Sequence, residues 1–460
     1  MDRLTPLADA FLEAEDADPR ASLAIGSLAV FAGPAPGFED FVASIAGRLP
    51  LIPRYRQKLR RVILDLAPPA WLDDPGFEVR RHLHHVTAPG GGGRAELSEL
   101  ISSLMTERMD RTRPLWDYWF IEGFEDGRWA VLSKLHHSMV DGVSGSDLYY
   151  LVLDSTPDPQ APVADSWKPA QPPSTLAFSA SAARELALTP VRATRSAVLA
   201  LRHPRRLSHT AAWTAGGLTA LAGALRPVPR SSLTGPLGER RRYTWTESSL
   251  EDLRTVRTAY DVTVNDVALA AIAGGFRRLL LERGETPDAH TLRSLVPVST
   301  REPSAQSIPD NRVSLMLPYL PVDLADPVER LLAVHERIRD LRTHHEPEAG
   351  GSVTTAAELG FFPPVKWGIR LGMSLPQRQI ATVTTNVPGP RQTLYCLGRE
   401  AEQLLPYVPI ADRVRIGIAI FSYRDTLSFG ITGDHDSTPD LSVLADGITE
   451  SLSELVRVAR

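Results

Sequence analysis

The chain has 460 residues, of which 43% are hydrophobic, and it carries a formal net charge of −5 with an isoelectric point near 6.2. This length and composition predict two globular domains and exclude a fibrous or largely disordered protein. Because the net charge is negative, the protein as a whole lacks the positive electrostatic potential that would attract nucleic acid.

Alternating apolar and polar patterns mark the beginning of the chain as an α/β unit. Strand-like stretches of period two and helix-like stretches of period 3.6 follow each other there. We predict strands at residues 23–31, 77–86, 118–121 and 129–136, and helices at residues 38–49 and 96–109. The first domain is expected to span residues 1–155 and to layer helices against a sheet.

A change of composition separates this unit from the rest of the chain. Residues 156–241 open with a proline-rich stretch and continue with an Ala- and Arg-rich helical pattern, so we expect a helical linker whose opening is mobile. Within residues 190–226, the weakly apolar stretch 211–225 follows the basic cluster 202–206, which suits a protein lying on a membrane surface. An ordinary inter-domain helix with a solvated basic face fits this pattern equally well. No run approaches the roughly 18 to 20 apolar residues of a spanning helix.

The α/β alternation resumes in residues 242–460. We predict helices at residues 264–282 and 440–458, and strands at residues 292–298, 313–321, 380–385, 413–421 and 427–432. No short repeat relates the two halves, although their make-up is similar. The sequence therefore predicts two α/β lobes of related fold, joined by the linker.

The sharpest motif lies at the end of a predicted strand. Residues 136–142 read His-His-Ser-Met-Val-Asp-Gly and follow the apolar run 129–132. A histidine four residues before an aspartate, between a strand end and a Gly-rich turn, can present one imidazole nitrogen to a substrate as a general base. A metal site is disfavoured, because catalytic zinc needs three protein ligands and no further His, Cys or Glu follows at ligand spacing. A purely structural role for the two histidines is the other alternative.

Further motifs occur in order along the chain. They are Pro-Leu-Trp-Asp at 114–117, Val-Asn-Asp-Val at 264–267, Asn-Arg-Val-Ser at 311–314 and Asn-Val-Pro-Gly-Pro at 386–390. With the histidine motif, they resemble the bacterial wax ester synthase/diacylglycerol acyltransferase family, which belongs to the chloramphenicol acetyltransferase-like CoA-dependent acyltransferases. Asp117, Asp310 and Thr234 replace the Glu, Gly and Asn that are usual in this family. These departures concern acceptor preference and acyl-CoA contacts rather than the reaction class.

The resemblance implies a fold and an active site. The fold would be two chloramphenicol acetyltransferase-like lobes with a central substrate tunnel, and the acyl group would pass directly from acyl-CoA to an alcohol, without a covalent acyl-enzyme. His137 would be the general base, and His136 a neighbour that shapes the turn. Asp141 would be structural, with Arg301 as a candidate partner, and Gly142 suits backbone that approaches the ligand closely.

Other motif residues are candidate substrate contacts. Ser144 continues the turn that follows the histidine motif. Leu115 and Trp116 would shape the acyl tunnel or belong to the core. Asn265 would donate a hydrogen bond near the reacting carbonyl, although either Asn265 or Asp266 could equally cap the helix that follows. The remaining candidates come from the Asn-Val-Pro-Gly-Pro motif and are Asn386, Pro388 and Gly389.

Several other features suggest sites but lack the necessary partners. His82, His84 and His85 lie in a predicted strand, with His82 and His84 on one face, yet no further ligands accompany them and we expect a structural role. The run of four glycines at 90–93 lacks the Lys-Ser/Thr ending of a phosphate loop. No Gly-x-Ser-x-Gly motif indicates a nucleophile-elbow serine hydrolase. We expect neither a metal nor a cofactor, with acyl-CoA acting as a substrate.

These motifs and the resemblance predict an O-acyltransferase that moves a long-chain acyl group from acyl-CoA to a lipid alcohol. Diacylglycerol, giving triacylglycerol, is the expected acceptor, and fatty alcohol, giving wax ester, is a second one. Two alternatives stay open: a condensation-type enzyme that uses a carrier-protein thioester, and a catalytically silent lipid-binding or lipid-droplet protein.

The location of the protein is predicted from its cysteine content and its first residues. The single cysteine, Cys396, excludes an internal disulfide, and its apolar neighbours indicate a buried, unreactive thiol in a reducing compartment. The acidic first residues lack the basic and apolar regions of a secretory signal. We therefore expect a cytoplasmic protein, associated with the inner membrane surface or with lipid inclusions.

Overall fold

The computed structural model describes residues 2–140, 153–158, 161–184, 187, 227–299, 313–343 and 378–460. Within these ranges the strands are β1 Asp2–Arg3, β2 Ala24–Phe31, β3 Gln57–Arg60, β4 Ala70–Asp73, β5 Leu83–Thr87, β6 Trp116–Glu122, β7 Trp129–His136, β8 Arg241–Ser249, β9 Leu292–Ser299, β10 Val313–Met316, β11 Tyr319–Leu320, β12 Thr382–Val387, β13 Tyr395–Cys396, β14 Arg399–Tyr407, β15 Ile416–Tyr423 and β16 Thr426–Asp434. The α-helices are α1 Pro6–Ala17, α2 Phe38–Arg48, α3 Arg94–Thr106, α4 Leu250–Tyr260, α5 Val264–Glu282, α6 Pro327–Thr343 and α7 Leu441–Ala459. Sheets of six and seven strands, each covered by helices, form two lobes, as the sequence predicts.

The first lobe is built on the six-stranded sheet, with strand order β13-β14-β2-β7-β6-β5. Its strand β7 carries apolar side chains on both faces, with Trp129 and Val131 on one face and Ala130 and Leu132 on the other. The first face packs against α1 and α2, and the second packs against α3 and β8. Because β7 pairs with β2 on one edge and β6 on the other, the position of its last residue, His136, is well fixed.

The second lobe is built on the seven-stranded sheet. Strand β12 runs parallel to both β9 and β15, whereas the other pairings are antiparallel. Helices α4 to α7 bury apolar side chains against this sheet, and α5 is buried along most of its length. Helices α5 and α7 approach each other so closely that a Cβ on Gly275 would lie 2.9 Å from the carbonyl oxygen of Leu444. A side chain at Gly275 would therefore force the two helices apart.

A strand from the second half of the chain joins the two lobes. Residues 395–407, which follow β12 and precede β15, form β13 and β14, and β14 pairs antiparallel with β2 in the first sheet. The backbone of β14 lies directly against β16, because a Cβ on Gly430 would meet the Pro406 carbonyl oxygen at 1.8 Å. The hydroxyl of Tyr243 donates to the same carbonyl at 2.9 Å. The lobes thus share a strand and a packed interface.

The first part of the linker lies against the first lobe. Arg56 forms an ion pair with Asp165, with 2.6 Å between Nη2 and Oδ2, and its guanidinium lies 4.9 Å from the centre of the Trp167 ring. Further along, Phe178 is buried together with Val62. The proline-rich opening that we expected to be mobile is therefore fixed to the lobe by specific contacts. The stretch 190–226, with its predicted membrane-surface pattern, lies outside the described residues.

The structure agrees with the strongest periodic patterns and departs from weaker ones. The helix predicted at residues 264–282 coincides with α5, and the strand predicted at residues 129–136 coincides with β7. The strand predicted at residues 77–86 is wrong in its first half, where the 3-10 turn Val79–His82 precedes β5. None of the helices in the described ranges is both long and apolar enough to span a bilayer.

Candidate functional site

The two histidines of the motif lie where β7 passes into a single 3-10 turn, His137–Val140. The backbone N–H of His136 donates to the carbonyl of Leu115 at 3.0 Å. The backbone N–H of His137 donates to the carbonyl of Leu23 at 3.1 Å. These bonds run to opposite sides of β7, so the backbone of both histidines is held by the sheet.

The ring of His136 is fully buried and faces two polar partners. Its Nδ1 lies 2.7 Å from Ser138 Oγ and accepts the backbone N–H of Ser138 at 3.2 Å. Its Nε2 lies 3.4 Å from Glu15 Oε2. Since Nδ1 accepts a backbone N–H, the proton of the neutral ring is assigned to Nε2, the nitrogen that faces the carboxylate.

Glu15 is a buried carboxylate, and each of its two oxygens accepts a hydrogen bond. Its Oε1 accepts the backbone N–H of Leu23 at 2.6 Å, and its Oε2 accepts Arg111 Nη2 at 2.6 Å. Burial alone would raise the pKa of Glu15, but the interactions of its carboxylate with His136, Arg111 and the backbone N–H of Leu23 outweigh burial and lower the pKa to about 2. A negative charge therefore faces His136 at neutral pH.

The ring of His137 is partly buried and lies flat against Phe11 of α1, with ring centroids 3.8 Å apart and an angle of 20° between the planes. Burial of the ring lowers the pKa of His137 to about 4, and the neighbouring His136 acts in the same direction. His137 is therefore neutral at physiological pH, which is the form that can accept a proton.

Leu115 and Trp116 lie in the core beneath the histidines. Both side chains are fully buried. The indole N–H of Trp116 donates to the carbonyl of Tyr55 at 2.8 Å, and its ring stacks on His82 at 4.4 Å. These contacts favour a core role for the pair, with Leu115 also accepting the His136 N–H described above.

Asn265 and Asn386, which come from different motifs, are in contact. The side-chain amide of Asn386 donates from Nδ2 to Asn265 Oδ1 at 2.9 Å, and both side chains are partly exposed. Asn265 stands in the first turn of α5 and Asn386 near the end of β12. The structure thus brings two predicted site residues together across the second lobe.

Asp266 acts in the capping of α5. Thr263 is the N-cap, so the alternative that Asn265 or Asp266 holds that position is wrong. Asp266 is the third helical residue; its N–H donates to Thr263 Oγ1 at 3.1 Å and its Oδ2 accepts the Thr263 N–H at 2.9 Å, which completes a capping box. His335 of α6 donates to the same carboxylate at 2.8 Å. Asp266 therefore fixes the turn from which Asn265 projects.

The loop after β12 approaches the neighbouring strand closely. Gly389 donates its backbone N–H to Ser422 Oγ at 3.0 Å, and a Cβ on Gly389 would lie 2.0 Å from the Ser422 carbonyl oxygen. Only glycine fits there, while Pro388 is exposed. Val387 packs against the large apolar cluster of the first lobe, which also contains Met139 from the turn that carries His137.

The remaining sequence candidates divide into two groups. Asp141, Gly142, Ser144 and Arg301 lie outside the described residues. His82 and His84 do not share a strand face, because His82 lies in the 3-10 turn, where its Nδ1 donates to the Trp116 carbonyl at 2.7 Å, and His84 lies 3.1 Å from Asp117. In the part of the chain that the structure describes, no three His, Cys, Asp or Glu side chains are placed to hold a metal ion.

Phe11 and Glu15 are site residues that motif reasoning missed. Both project from α1, a helix that was not predicted from the sequence. A signal was present, because Ala8, Phe11, Leu12 and Glu15 follow the i, i+3, i+4, i+7 spacing of a helix stripe. A carboxylate at one position of an otherwise apolar stripe is a candidate for a buried, paired group.

Comparison with known proteins covers nearly the whole chain. The model of the wax ester synthase/diacylglycerol acyltransferase catalytic domain matches residues 4–268, and that of the WS/DGAT C-terminal domain matches residues 310–456. A protein of Mycobacterium tuberculosis named probable diacylglycerol O-acyltransferase is 42% identical over 461 residues, which cover 100% of this chain and 97% of that one.

Solved structures agree with these matches. The wax ester synthase/diacylglycerol acyltransferase of Marinobacter aquaeolei superposes with a TM-score of 0.67 and 26% identity, over 99% of both chains. The first condensation domain of the CDA synthetase superposes with a TM-score of 0.59 at 14% identity, over 100% of this chain and 97% of that one, and so shares the fold. The chain belongs to the wax ester synthase/diacylglycerol acyltransferase family and is an acyltransferase.

Proposed function

We propose that the protein transfers a long-chain acyl group from acyl-CoA to diacylglycerol, giving triacylglycerol, with His137 as the general base. The observation that supports this most directly is the neutral imidazole of His137 at the end of β7, within the motif of the acyltransferase family. A general base must be unprotonated before the reaction and positioned next to the proton that it removes.

The reaction needs one proton shuttle and no covalent intermediate. His137 removes the proton of the acceptor hydroxyl while the oxygen attacks the thioester carbonyl. The tetrahedral intermediate then collapses, the carbon–sulfur bond breaks, and the imidazolium returns the proton to the CoA thiolate. The products are the ester and free CoA, so atoms and charge balance.

The intermediate carries a negative oxygen that needs hydrogen-bond donors. The Asn265 amide is a candidate, because its oxygen accepts from Asn386 and its N–H groups are then oriented away from that partner. Gly142 and Ser144 stay candidates for contacts to the ligand, and Asp141 for support of the turn. In this proposal Gly389 and Pro388 shape the wall that faces the substrates, through the close packing of the loop after β12.

The choice of acceptor rests on the relatives. The mycobacterial relative is named for diacylglycerol acylation. The Marinobacter relative is named for both wax ester synthesis and diacylglycerol acylation, which favours fatty alcohol as a second acceptor in the same site. Both acceptors reside in lipid, so we propose that the protein works at a membrane surface or a lipid inclusion, with the basic stretch 202–206 as the contact.

The first test is release of free thiol from palmitoyl-CoA by the purified protein. We expect release to depend on added diacylglycerol, with slower release on hexadecanol, because the sequence is more similar to the mycobacterial enzyme than to the Marinobacter one. Product esters are identified by thin-layer chromatography. If no thiol were released with either diacylglycerol or hexadecanol, the proposal would be contradicted, and a carrier-protein donor or a silent lipid binder would be favoured.

The proposed base also predicts a pH profile. Because the pKa of His137 is lowered from 6.5 to about 4, the neutral base stays populated as the pH falls through the range in which an ordinary histidine becomes protonated. We expect kcat/KM for palmitoyl-CoA to be flat from about pH 8 to about pH 5 and to fall only near pH 4. Circular dichroism at each pH checks that the fold persists. An acid limb near pH 6.5, with the fold intact, would contradict the lowered pKa.

A further inference from the structure

One face of α1 contacts both histidines of the motif. Phe11 and Glu15 are four residues apart, so their side chains project from the same face of the helix. The Phe11 ring stacks on His137 at 3.8 Å, and Glu15 Oε2 lies 3.4 Å from His136 Nε2. The orientation of both imidazole rings is thus tied to the placement of a single helix.

The helix itself is firmly placed on the lobe. Its apolar residues Ala8 and Leu12 are buried in the core under β7. At its C-terminal end, Arg108 Nη2 donates to the carbonyl of Glu15 at 2.8 Å, and Arg111 bonds the Glu15 carboxylate and the carboxylate of Asp16. Phe11 and Glu15 therefore present fixed surfaces to the histidines.

The contact at His136 extends to the turn that carries His137. With Nε2 directed at Glu15, the Nδ1 of His136 accepts the backbone N–H of Ser138. Ser138 lies in the 3-10 turn that begins at His137. A rotated or tautomerised His136 would lose the Ser138 bond, and the turn would lose one of its restraints.

We propose that Phe11 and Glu15 are positioning residues that orient the tandem histidines, Glu15 through His136 and Phe11 by direct stacking on His137. The proposal rests on the proposed role of His137 as the base. It assigns a task to a buried carboxylate and to a helix that lie outside every sequence motif of the site. Positioning of this kind has large effects, since misplacing a reacting group by about 1 Å costs on the order of a hundredfold in rate.

The test compares two buried glutamates of the same helix. Glu13 is buried like Glu15, but it precedes Glu15 by two residues, about 200° around the helix, so it projects from a different face, and its carboxylate lies 3.7 Å from Arg61 Nη2. We expect Glu15→Gln, which keeps an acceptor oxygen, to lower kcat about tenfold, and Glu15→Leu, which removes it, about a hundredfold. KM for palmitoyl-CoA should stay within about twofold in both. Glu13→Gln and Glu13→Leu, corrected for their folded fraction, should keep the kcat of the wild type.

Phe11 is tested by a conservative pair. Phe11→Leu removes the stacked ring and is expected to lower kcat about tenfold. Phe11→Tyr retains the ring and is expected to restore most of that loss. Equal losses in the two variants would show that the stacked ring has no positioning role.

A spectroscopic measurement separates positioning from activity. Nitrogen-15 spectra of histidine-labelled protein, with His136 assigned by comparison with His136→Gln, should show the Nε2–H tautomer in the wild type. The signal should change in Glu15→Leu and stay unchanged in Glu13→Leu. An unchanged His136 signal in Glu15→Leu, or equal kcat in Glu15→Leu and Glu13→Leu, would overturn the proposal. If the wild type released no CoA with any acceptor, the proposed function would fail, while the spectra would still test the contact between Glu15 and His136.

Discussion

Replacing His137 by alanine is expected to lower kcat/KM for acyl transfer by about a thousandfold, within the range of 10² to 10⁴ that positioned general bases contribute. The loss arises because no other described group near the turn combines a neutral imidazole with access to the surface: His136 is fully buried and faces Glu15. The measurement is thiol release from palmitoyl-CoA with diacylglycerol, for the wild type and His137→Ala side by side.

The fold should survive this substitution. The position of the turn is set by backbone bonds from His136 to Leu115 and from His137 to Leu23, which alanine at position 137 preserves. The main contact that is lost is the stacking on Phe11. We expect the melting temperature to fall by a few degrees only, because loss of a stacked aromatic pair costs about 1 kcal/mol beyond the area that it buries.

A matched control is provided by His85, on β5 of the same sheet. Its ring is exposed, lies 2.9 Å from Glu122 Oε1 and stacks on Phe38, so it also combines a stacked ring with a polar partner. His85→Ala should keep the transfer rate of the wild type. Residual transfer in His137→Ala above about a tenth of the wild-type rate would refute the assignment of the base.

The elements that could be predicted well from the sequence are those with a strong local pattern of apolar residues. Strand β7 was found at its true bounds because a run of apolar residues between polar ones is typical of a buried strand. Helix α5 was found because thirteen of its residues are buried, which leaves a long apolar pattern. In both elements, the residues of the segment itself predict its type and its bounds.

Strand β14 could not be predicted in this way. Apolar and polar residues do not alternate regularly along this strand. Its conformation is set by pairing with β2, some 370 positions earlier in the chain, and the pairing contains a bulge between Ala401 and Gln403. Partners so distant in sequence leave no signature in a local window. Residues 395–407 were therefore assigned to the second lobe, whereas they complete the sheet of the first.

In the candidate site, too, local motifs could be recognised from the sequence, whereas contacts between distant residues could not. His137 was identified from its motif, and Asn265 and Asn386 were named separately from two others. Their mutual hydrogen bond joins residues 121 positions apart and depends on the packing of α5 against β12. The contact between Glu15 and His136 likewise depends on where α1 docks. Motifs identify groups that can do the chemistry, whereas tertiary packing decides which groups orient them.

Removing Asp154 is expected to lower the free energy of unfolding by about 3 to 5 kcal/mol, the usual cost of breaking a buried ion pair. Asp154 Oδ2 accepts Arg48 Nη2 at 2.6 Å, and the two side chains are only 1% and 11% exposed. The backbone of Asp154 exchanges two hydrogen bonds of 2.8 Å with Tyr395 of β13. The pair therefore joins the end of α2 to the strand that crosses between the lobes, a short distance along the chain after the histidine motif.

A double-mutant cycle separates the ion pair from the packing around it. Asp154→Leu leaves the Arg48 guanidinium buried without its carboxylate, and Arg48→Met leaves the Asp154 carboxylate without its guanidinium, so each single change should be strongly destabilising. The double variant removes both charges and should be less destabilised than the sum of the two, by about 1 to 3 kcal/mol, because apolar side chains of similar volume can replace a buried pair. Urea denaturation followed by tryptophan fluorescence measures all four proteins. Additive losses would mean that the two charges do not stabilise each other, and the crossing strand would then be held by the Tyr395 backbone bonds and apolar packing alone.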